Sequence, residues 1–309
     1  MPTKTLTASC LAIALLGTIC GCASVTAADA QTSTEGTRLL LLGTAGGPGA
    51  MPDRAGIASI IKVGNDLFLI DAGDGVTRQL ALAGLREVDI DKVFLTHLHD
   101  DHTVGLPALA SFSYTLRGKP MTIFGPPDTE KLVRGLLSFL QPNADIRGQE
   151  RRLPDPATRV IGRNVLTGVV WSDSRVRVIA AENSHFHLAP GGTGSSYRSY
   201  AYRFETPGRT IVFTGDSGPS DAVAALAKGA DILVSEMVSE ADLASVPREI
   251  VPHMLTEHLS PAELGKLAAG AAVKKVIISH SRSAGESDLR ALRREFRGEV
   301  VIGQDLAQD

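Results

Sequence analysis

The sequence has little cysteine, and all of it lies at one end. Cys10, Cys20 and Cys22 are the three cysteines, so none occurs after position 22 of the 309 residues. The rest of the chain therefore forms no disulfide of its own and offers no thiolate to a metal ion. Any metal site beyond that point must be built from histidine, aspartate and glutamate side chains.

Positive charge is not in excess either. The chain carries 31 lysines and arginines against 34 aspartates and glutamates, a formal net charge of −3. A strong nucleic-acid binder is usually basic, so this balance argues against a nucleic-acid polymer as partner. It leaves a small anionic ligand open.

Two phosphate-binding or catalytic motifs are also missing. The glycine loop in TRLLLLGTAGG lacks the Gly-Lys-Ser/Thr ending of a P-loop. No Gly-x-Ser-x-Gly motif occurs, which removes the usual serine nucleophile of an esterase and favours water as nucleophile.

The first residues are typical of an export signal. Lys4 precedes a mostly apolar stretch, residues 8–19, which is too short to span a bilayer as a mature helix. The following Ile-Cys-Gly-Cys, residues 19–22, resembles a bacterial lipobox and makes Cys22 the candidate lipid anchor. Cleavage after Ala30, in an A-x-A pattern, is the alternative and would release a free periplasmic form.

These features predict three segments. Residues 1–21 are a lipoprotein signal peptide, residues 22–36 a flexible tether rich in alanine, serine and threonine, and residues 37–309 the folded domain. The protein is accordingly expected to be exported to the periplasm and attached to a bacterial membrane through a lipid on Cys22.

Strands and helices are predicted to alternate along the domain. Helices are predicted at residues 77–85, 107–116, 128–140, 220–228 and 288–296, and another begins at Ser260-Pro261. Strands are predicted at TRLLLLG, IASIIKV, DLFLI, DKVFLTH, MTIFG, RVRVIAA, SYAYRFET, RTIVFTGD, DILVSE, KKVIISH and EVVIG, and short ones within 141–175. This pattern indicates an α/β fold with two sheets covered by helices.

The stretch LTHLHDDHTVGL carries the clearest chemical signal. His97 and His99 follow an apolar strand and, being two residues apart in extended chain, can face one point. Asp101 and His102 come at the start of the next helix and can approach the same point from another side. Imidazole and carboxylate groups crowded in this way are typical of a bound metal ion.

The histidine motif resembles that of the metallo-β-lactamase superfamily, and further motifs follow in the family's order over residues 38–303. They are LIDAGDG with Asp71 as a buried support, AAENSHFH with His185, FTGDSG with Asp216, and VIISHS with His280. The resemblance implies an αββα four-layer sandwich and two zinc ions, with manganese or iron as alternatives. His187 competes with His185 for one ligand position, because both lie on the same side of an extended segment.

The family's ligand pattern carries over residue by residue. One metal would be held by His97, His99 and His185, the other by Asp101, His102 and His280, and Asp216 would bridge them. By the same resemblance the two metals activate a water molecule to hydroxide, which Asp101 or Asp216 would orient.

Two longer segments, LLLLGTAGGPGAMPDRAG and VPHMLTEHLSPAELGKLAAG, resemble the tRNase Z-like branch, which includes phosphodiesterases and arylsulfatases. There a histidine ahead of the last ligand protonates the leaving oxygen, and a glutamate orients it. The matching residues are His258 and Glu236, and His253 is a second candidate for the proton donor.

A tRNA substrate is not expected. tRNase Z holds tRNA with a long arm, whereas only 30 residues separate His185 from Asp216 here, and predicted strands use most of them. The best-supported substrate is a small phosphodiester or a related anionic ester. Arg282 is a candidate for binding its phosphate or sulfate, and Tyr197, Arg198 and Tyr200 are candidates for contacting it; structural roles remain the alternative for all four.

Other functions stay open at this point. An arylsulfatase or a lactonase of the same fold is the first alternative, and a non-catalytic periplasmic metal-binding protein is the second. A redox protein of the flavodiiron type is disfavoured, because it would have glutamate at the position of His99. The sequence does not give the oligomeric state. A dimer is compatible with it.

Overall fold

The computed structural model describes residues 36–187 and 196–309. The predicted signal peptide, the tether up to residue 35 and the lipid anchor at Cys22 lie outside these residues, as does most of the Gly/Ser loop at 191–199. No helix in the described ranges is long and apolar enough to cross a bilayer.

Two mixed sheets form the centre of the domain, each with its strands in chain order. The first contains β1 (Thr37–Gly43), β2 (Ala58–Val63), β3 (Asp66–Ile70), β4 (Lys92–Phe94), β5 (Met121–Gly125) and β6 (Val160–Asn164). The second contains β7 (Gly168–Ser172), β8 (Arg177–Glu182), β9 (Tyr200–Thr206), β10 (Arg209–Phe213), β11 (Ile232–Ser235), β12 (Lys275–Ile278) and β13 (Glu299–Ile302). In each sheet the antiparallel hairpins come first and the parallel strands follow, from β3 to β6 and from β10 to β13.

Helices cover the outer faces of both sheets. They are α1 (Val76–Leu82), α2 (Asp100–Thr103), α3 (Leu106–Thr115), α4 (Thr129–Arg151), α5 (Asp221–Ala227), α6 (Glu240–Ser245), α7 (Val251–Glu257), α8 (Pro261–Gly270) and α9 (Glu286–Glu295). One apolar core joins the first sheet to α1, α3 and α4, and another joins the second sheet to α5, α8 and α9. This arrangement confirms the predicted α/β fold with two covered sheets.

A third core lies between the sheets and is rich in aromatic rings. The Phe94 ring packs edge-on against Phe204 and Tyr202 of the second sheet, at centroid distances of 5.4 and 5.8 Å. All three rings are fully buried. Aromatic side chains bury a large area each, so this layer holds the two sheets in a fixed relation at the edge where the site forms.

The sequence prediction differs from the structure mainly around α4. The prediction ended this helix at residue 140, but α4 continues through Pro142 to Arg151. Proline removes one backbone hydrogen bond, yet Leu140 and Ala144 on either side of it are buried against the first sheet. Helices α6 and α7 were not predicted either, and both are short.

Candidate metal centre

The candidate site lies where parallel strands of both sheets end. Asp71 follows β3, and residues 97–102 follow β4. In the other sheet Asp216, Glu236 and His280 follow β10, β11 and β12. The carboxyl ends of parallel strands share one edge of a sheet, so polar side chains from distant parts of the chain meet there.

One group of donors contains three histidines. The Nε2 atom of His97 lies 3.0 Å from Nδ1 of His99, and Nε2 of His185 lies 3.2 Å from the same Nδ1 atom. His97 and His185 are buried, whereas His99 is exposed at the mouth of the site. Three ring nitrogens therefore converge on one point that solvent can reach from one side.

A second group lies next to it and contains Asp101, His102 and His280. The Nε2 atoms of the two histidines are 2.9 Å apart, and Oδ2 of Asp101 is 3.1 Å from Nε2 of His280. Asp216 stands at this group too, with Oδ1 3.3 Å from Nε2 of His102 and 3.5 Å from Nε2 of His280. Asp216 also groups with His185 and His258 and with His97 and His102, so it lies between the two sets.

These residues fit divalent cations. Four ligands at the zinc bond lengths of about 2.0–2.2 Å lie roughly 3.3 Å from one another in a tetrahedral site. The donor separations of 2.9–3.5 Å found here are of that size. Asp216 Oδ1 is buried without a hydrogen-bond partner among the described residues, an arrangement that a cation would stabilise.

Contacts behind the donors fix their orientation. Oδ2 of Asp71 is 2.9 Å from Nδ1 of His102, and the same carboxylate accepts hydrogen bonds from the Thr96 amide and hydroxyl. Nδ1 of His185 is 3.2 Å from the carbonyl oxygen of Glu257. In metal sites such partners on the remote ring nitrogen select the tautomer that presents the other nitrogen. The support expected of Asp71 is therefore seen in its contacts.

Burial and neighbouring charges also place His97, His185 and Asp216 in the protonation states that bind a metal ion. Burial lowers the pKa of His185 to about 4 and that of His97 well below its usual value, so both rings are neutral at pH 7. Burial alone would raise the pKa of Asp216, but the neighbouring His280 and His102 lower it well below the usual range. A neutral imidazole and an ionised carboxylate are the forms that bind a metal ion.

Glu236 and His258 form a pair beside the donors. Oε2 of the buried Glu236 lies 3.3 Å from Nδ1 of His258, and its Oε1 accepts a hydrogen bond of 2.7 Å from the Leu259 amide. Burial would lower the pKa of His258, but the Glu236 carboxylate raises it to about 9. The ring centroids of His258 and His185 are 5.1 Å apart, which sets the pair at the edge of the first group.

The glycine loop after β1 supports the second group, a role that the sequence analysis did not assign. A Cβ atom at Gly47 would collide with the Asp101 carboxylate, so any other residue here would have to displace that carboxylate. Arg54 donates hydrogen bonds to the carbonyl oxygens of Ser281 and Arg282, which follow His280. The glycine was visible as part of a loop, but nothing local in the sequence pointed to Arg54.

The remaining candidates do not belong to the donor groups. His187 is outside the donor groups, with Nε2 3.3 Å from the carbonyl oxygen of Thr256. The His253 side chain is 64% exposed and pairs with Glu257. Tyr200 is buried and donates to the Val165 carbonyl, so it does not face the site as the sequence analysis had allowed. Arg282 donates to backbone carbonyl oxygens of the glycine loop.

Comparison with known proteins gives the same family. The family model described as beta-lactamase superfamily domain matches residues 67–281. Ribonuclease Z of Mycolicibacterium paratuberculosis is 31% identical over 275 residues, which cover 86% of this chain and 95% of the relative.

Two solved structures have the same fold. Human tRNase Z, short form, gives a TM-score of 0.63 at 22% identity and covers 88% of this chain and 98% of the human one. A diphosphatase from the PhnP family gives 0.62 at 17% identity, covering 88% and 97%. The resemblance noted in the sequence is confirmed, and the fold implies divalent metal ions. The chain belongs to the metallo-β-lactamase superfamily, in its ribonuclease Z-like branch, and is a metal-dependent hydrolase.

Proposed function

We propose that the protein is a phosphodiesterase that cleaves a small anionic ester with the help of two divalent cations, zinc being the first choice. The pairing of Glu236 with His258 beside the donor groups is the observation that carries this proposal. Two adjacent sets of three donors, joined by Asp216, support the number of cations. His97, His99 and His185 would hold one, and Asp101, His102 and His280 the other.

The chain's own residues provide the remaining chemistry. Bound divalent cations would lower the pKa of water and neutralise charge on the phosphoryl group. His258 has its Nδ1 atom at Glu236, so its Nε2 atom is the one that can donate a proton to the departing oxygen. With its pKa raised to about 9, the ring is protonated at neutral pH. Asp101 stands beside Nε2 of His280 and would orient the attacking water.

The pair favours a phosphodiester over a lactone. A departing alcohol oxygen needs a proton, and a positioned acid typically contributes a factor of about 10²–10⁴ to the rate. A lactonase has little need for a strong acid of this kind. An arylsulfatase remains the alternative of the same reaction type, and a non-catalytic metal-binding protein would have no use for a buried Glu236 behind His258.

A small substrate is favoured over tRNA. Residues 183–199 connect β8 to β9, the place where the arm of tRNase Z would be inserted, and the chain has a net charge of −3. Export to the periplasm through the predicted signal at residues 1–21 and the lipid on Cys22 would also separate the protein from precursor tRNA. A periplasmic location is part of the same proposal.

The experiment compares substrates on the zinc-loaded full chain. The panel contains bis-p-nitrophenyl phosphate, a 2′,3′-cyclic nucleotide, p-nitrophenyl sulfate, an acyl-homoserine lactone and a precursor tRNA. We expect the two phosphodiesters to be cleaved with the highest kcat/KM. Preference for the sulfate, the lactone or the tRNA, or no turnover of any of them, would contradict the proposal.

Two histidine variants test the proton donor. His258→Ala should keep its metals and lose about 10²–10⁴-fold in kcat on the cyclic nucleotide, whose alcohol is a poor leaving group. His253→Ala is the matched control, because the His253 side chain is 64% exposed and belongs to none of the donor groups, and it should behave as the parent. Equal rates for His258→Ala and the parent would remove His258 from the mechanism.

A further inference from the structure

A large apolar groove opens beside the candidate metal centre and has no role in the function proposed so far. Its volume is about 820 Å³, within the range of sites that bind small organic ligands. One wall comes from the segment around α2 and α3, including Leu98 and Val104, and the opposite wall from α4, including Leu132 and Phe139. Phe186 and Tyr197 close a third side.

The groove is continuous with the donor groups through two side chains. His99, whose Nδ1 atom faces the other two histidines of the first group, also lines the groove. The ring of Phe186 packs against His97, His99 and His185 at centroid distances of 5.8, 5.2 and 4.9 Å, and its side chain lines the groove as well. An ester bound at the metal centre would therefore have one substituent directed along this wall.

The lining explains which substituent would fit. Val104, between α2 and α3, exposes 53% of its surface, and Phe139 exposes 62%, although other side chains of its helix α4 are buried. Exposed apolar side chains gathered around a concave surface mark a binding site. The charged side chains in the lining are Asp100, Asp128, Lys131 and Arg198, two of each sign, so the groove as a whole has no net charge of its own. Arg198 is engaged with Glu182 at 3.2 Å.

We propose that this groove binds an alkyl chain of the substrate, so that the natural substrate is an amphiphilic ester with an anionic head at the metal centre. The inference rests on the proposed function in one respect, the position of the anionic head beside His99. Burial of the alkyl chain in the groove would then contribute to the free energy of substrate binding. The protein would therefore bind substrates with longer alkyl chains more tightly.

Binding of simple alkyl phosphates tests this without turnover. Calorimetry on the zinc-loaded full chain would compare methyl phosphate with octyl phosphate, each below its micelle concentration. Each buried methylene should strengthen binding about two- to four-fold, so seven of them should give about 100-fold even at the lower figure. A negative heat-capacity change should accompany the tighter binding. Equal affinities for the two phosphates would overturn the inference.

Two variants of α4 localise the effect. Phe139→Glu places a charge in the groove and should abolish the preference for octyl phosphate. Ile146→Glu is the matched control, because Ile146 lies on the same helix with a similar exposure of 61% but outside the groove, and it should keep the parent's preference. Loss of the preference in both variants, or in neither, would contradict the assignment of this groove.

Three further outcomes distinguish this inference from the proposed function and from an interface between two copies of the chain. If methyl and octyl p-nitrophenyl phosphodiesters are hydrolysed with equal kcat/KM, the proposed function survives and the groove assignment fails. If no phosphodiester is hydrolysed but octyl phosphate still binds about 100-fold tighter than methyl phosphate, the groove assignment stands without the proposed function. A dimer that Phe139→Glu converts to a monomer, with no chain-length preference in the parent, would show that a second copy covers the groove.

Discussion

Glu236→Gln is the change that tests the proton donor most sharply, because glutamine keeps the shape of the side chain and removes its charge. Glu236 is buried, and its two oxygens serve separate partners, the Leu259 amide at 2.7 Å and Nδ1 of His258 at 3.3 Å. The amide contact can be kept by the glutamine oxygen. The variant therefore removes both the charge and the hydrogen-bond acceptor that Glu236 presents to His258, and keeps the contact to Leu259.

The size of the effect follows from the pKa of His258. The carboxylate raises this pKa to about 9, against the burial that opposes it. Without the charge, the pKa should fall to about 6.5 or below. At pH 8 the protonated fraction would then drop from about 90% to about 3%, a loss of about 30-fold in the acid form. The raised pKa means that the parent loses the acid form only as the pH rises through about 9.

Two assays measure this change. Proton NMR of metal-free protein should give a His258 titration midpoint near 9 in the parent and at least two units lower in the variant. Turnover at pH 8 should fall for the 2′,3′-cyclic nucleotide and much less for bis-p-nitrophenyl phosphate, whose leaving group needs little protonation. Equal midpoints, or an equal loss for both substrates, would refute the role given to Glu236.

Three further changes test the surroundings of the donors. Gly47→Ala should displace the Asp101 carboxylate and cost at least one bound zinc per chain in elemental analysis, whereas Gly49→Ala meets no atom and should keep the parent's metal content. Arg54→Ala should weaken zinc binding about 10–100-fold in a chelator competition, because the His280 turn loses its hydrogen bonds. Thr96→Val should reduce the free energy of unfolding by about 1–3 kcal/mol in urea titrations, because Asp71 loses a buried hydrogen bond. If Gly47→Ala, Arg54→Ala or Thr96→Val gives the same value as the parent, the contact that the variant removes or disturbs does not have the role described here.

Much of the architecture could be predicted from the sequence because apolar runs indicate where the strands lie. The cluster between His97 and His102 follows such a run, and the αββα arrangement was implied by the resemblance of the ordered motifs to the metallo-β-lactamase superfamily. The distant donors, Asp216 and His280, could be assigned only through the family resemblance, since no local pattern places one strand end beside another. The structure brings them to the same point as the cluster.

Other features depend on tertiary contacts that local sequence does not encode. Helix α4 passes through Pro142 because the residues around it are buried on the first sheet. The choice between His185 and His187 could not be made from alternation alone; in the structure His185 turns toward His99, and His187 toward the carbonyl oxygen of Thr256. Tyr200 lies in the predicted strand SYAYRFET and was a candidate for contacting substrate, yet it opens β9 with its side chain buried.

The most direct test of the central claim is the zinc stoichiometry of the purified chain, measured by elemental analysis after equilibration with zinc and removal of the excess. Two groups of donors that share Asp216 predict two zinc ions per chain in the parent. Asp216→Ala should retain at most one. A parent that binds one zinc or none, or an Asp216→Ala variant that still binds two, would contradict the account.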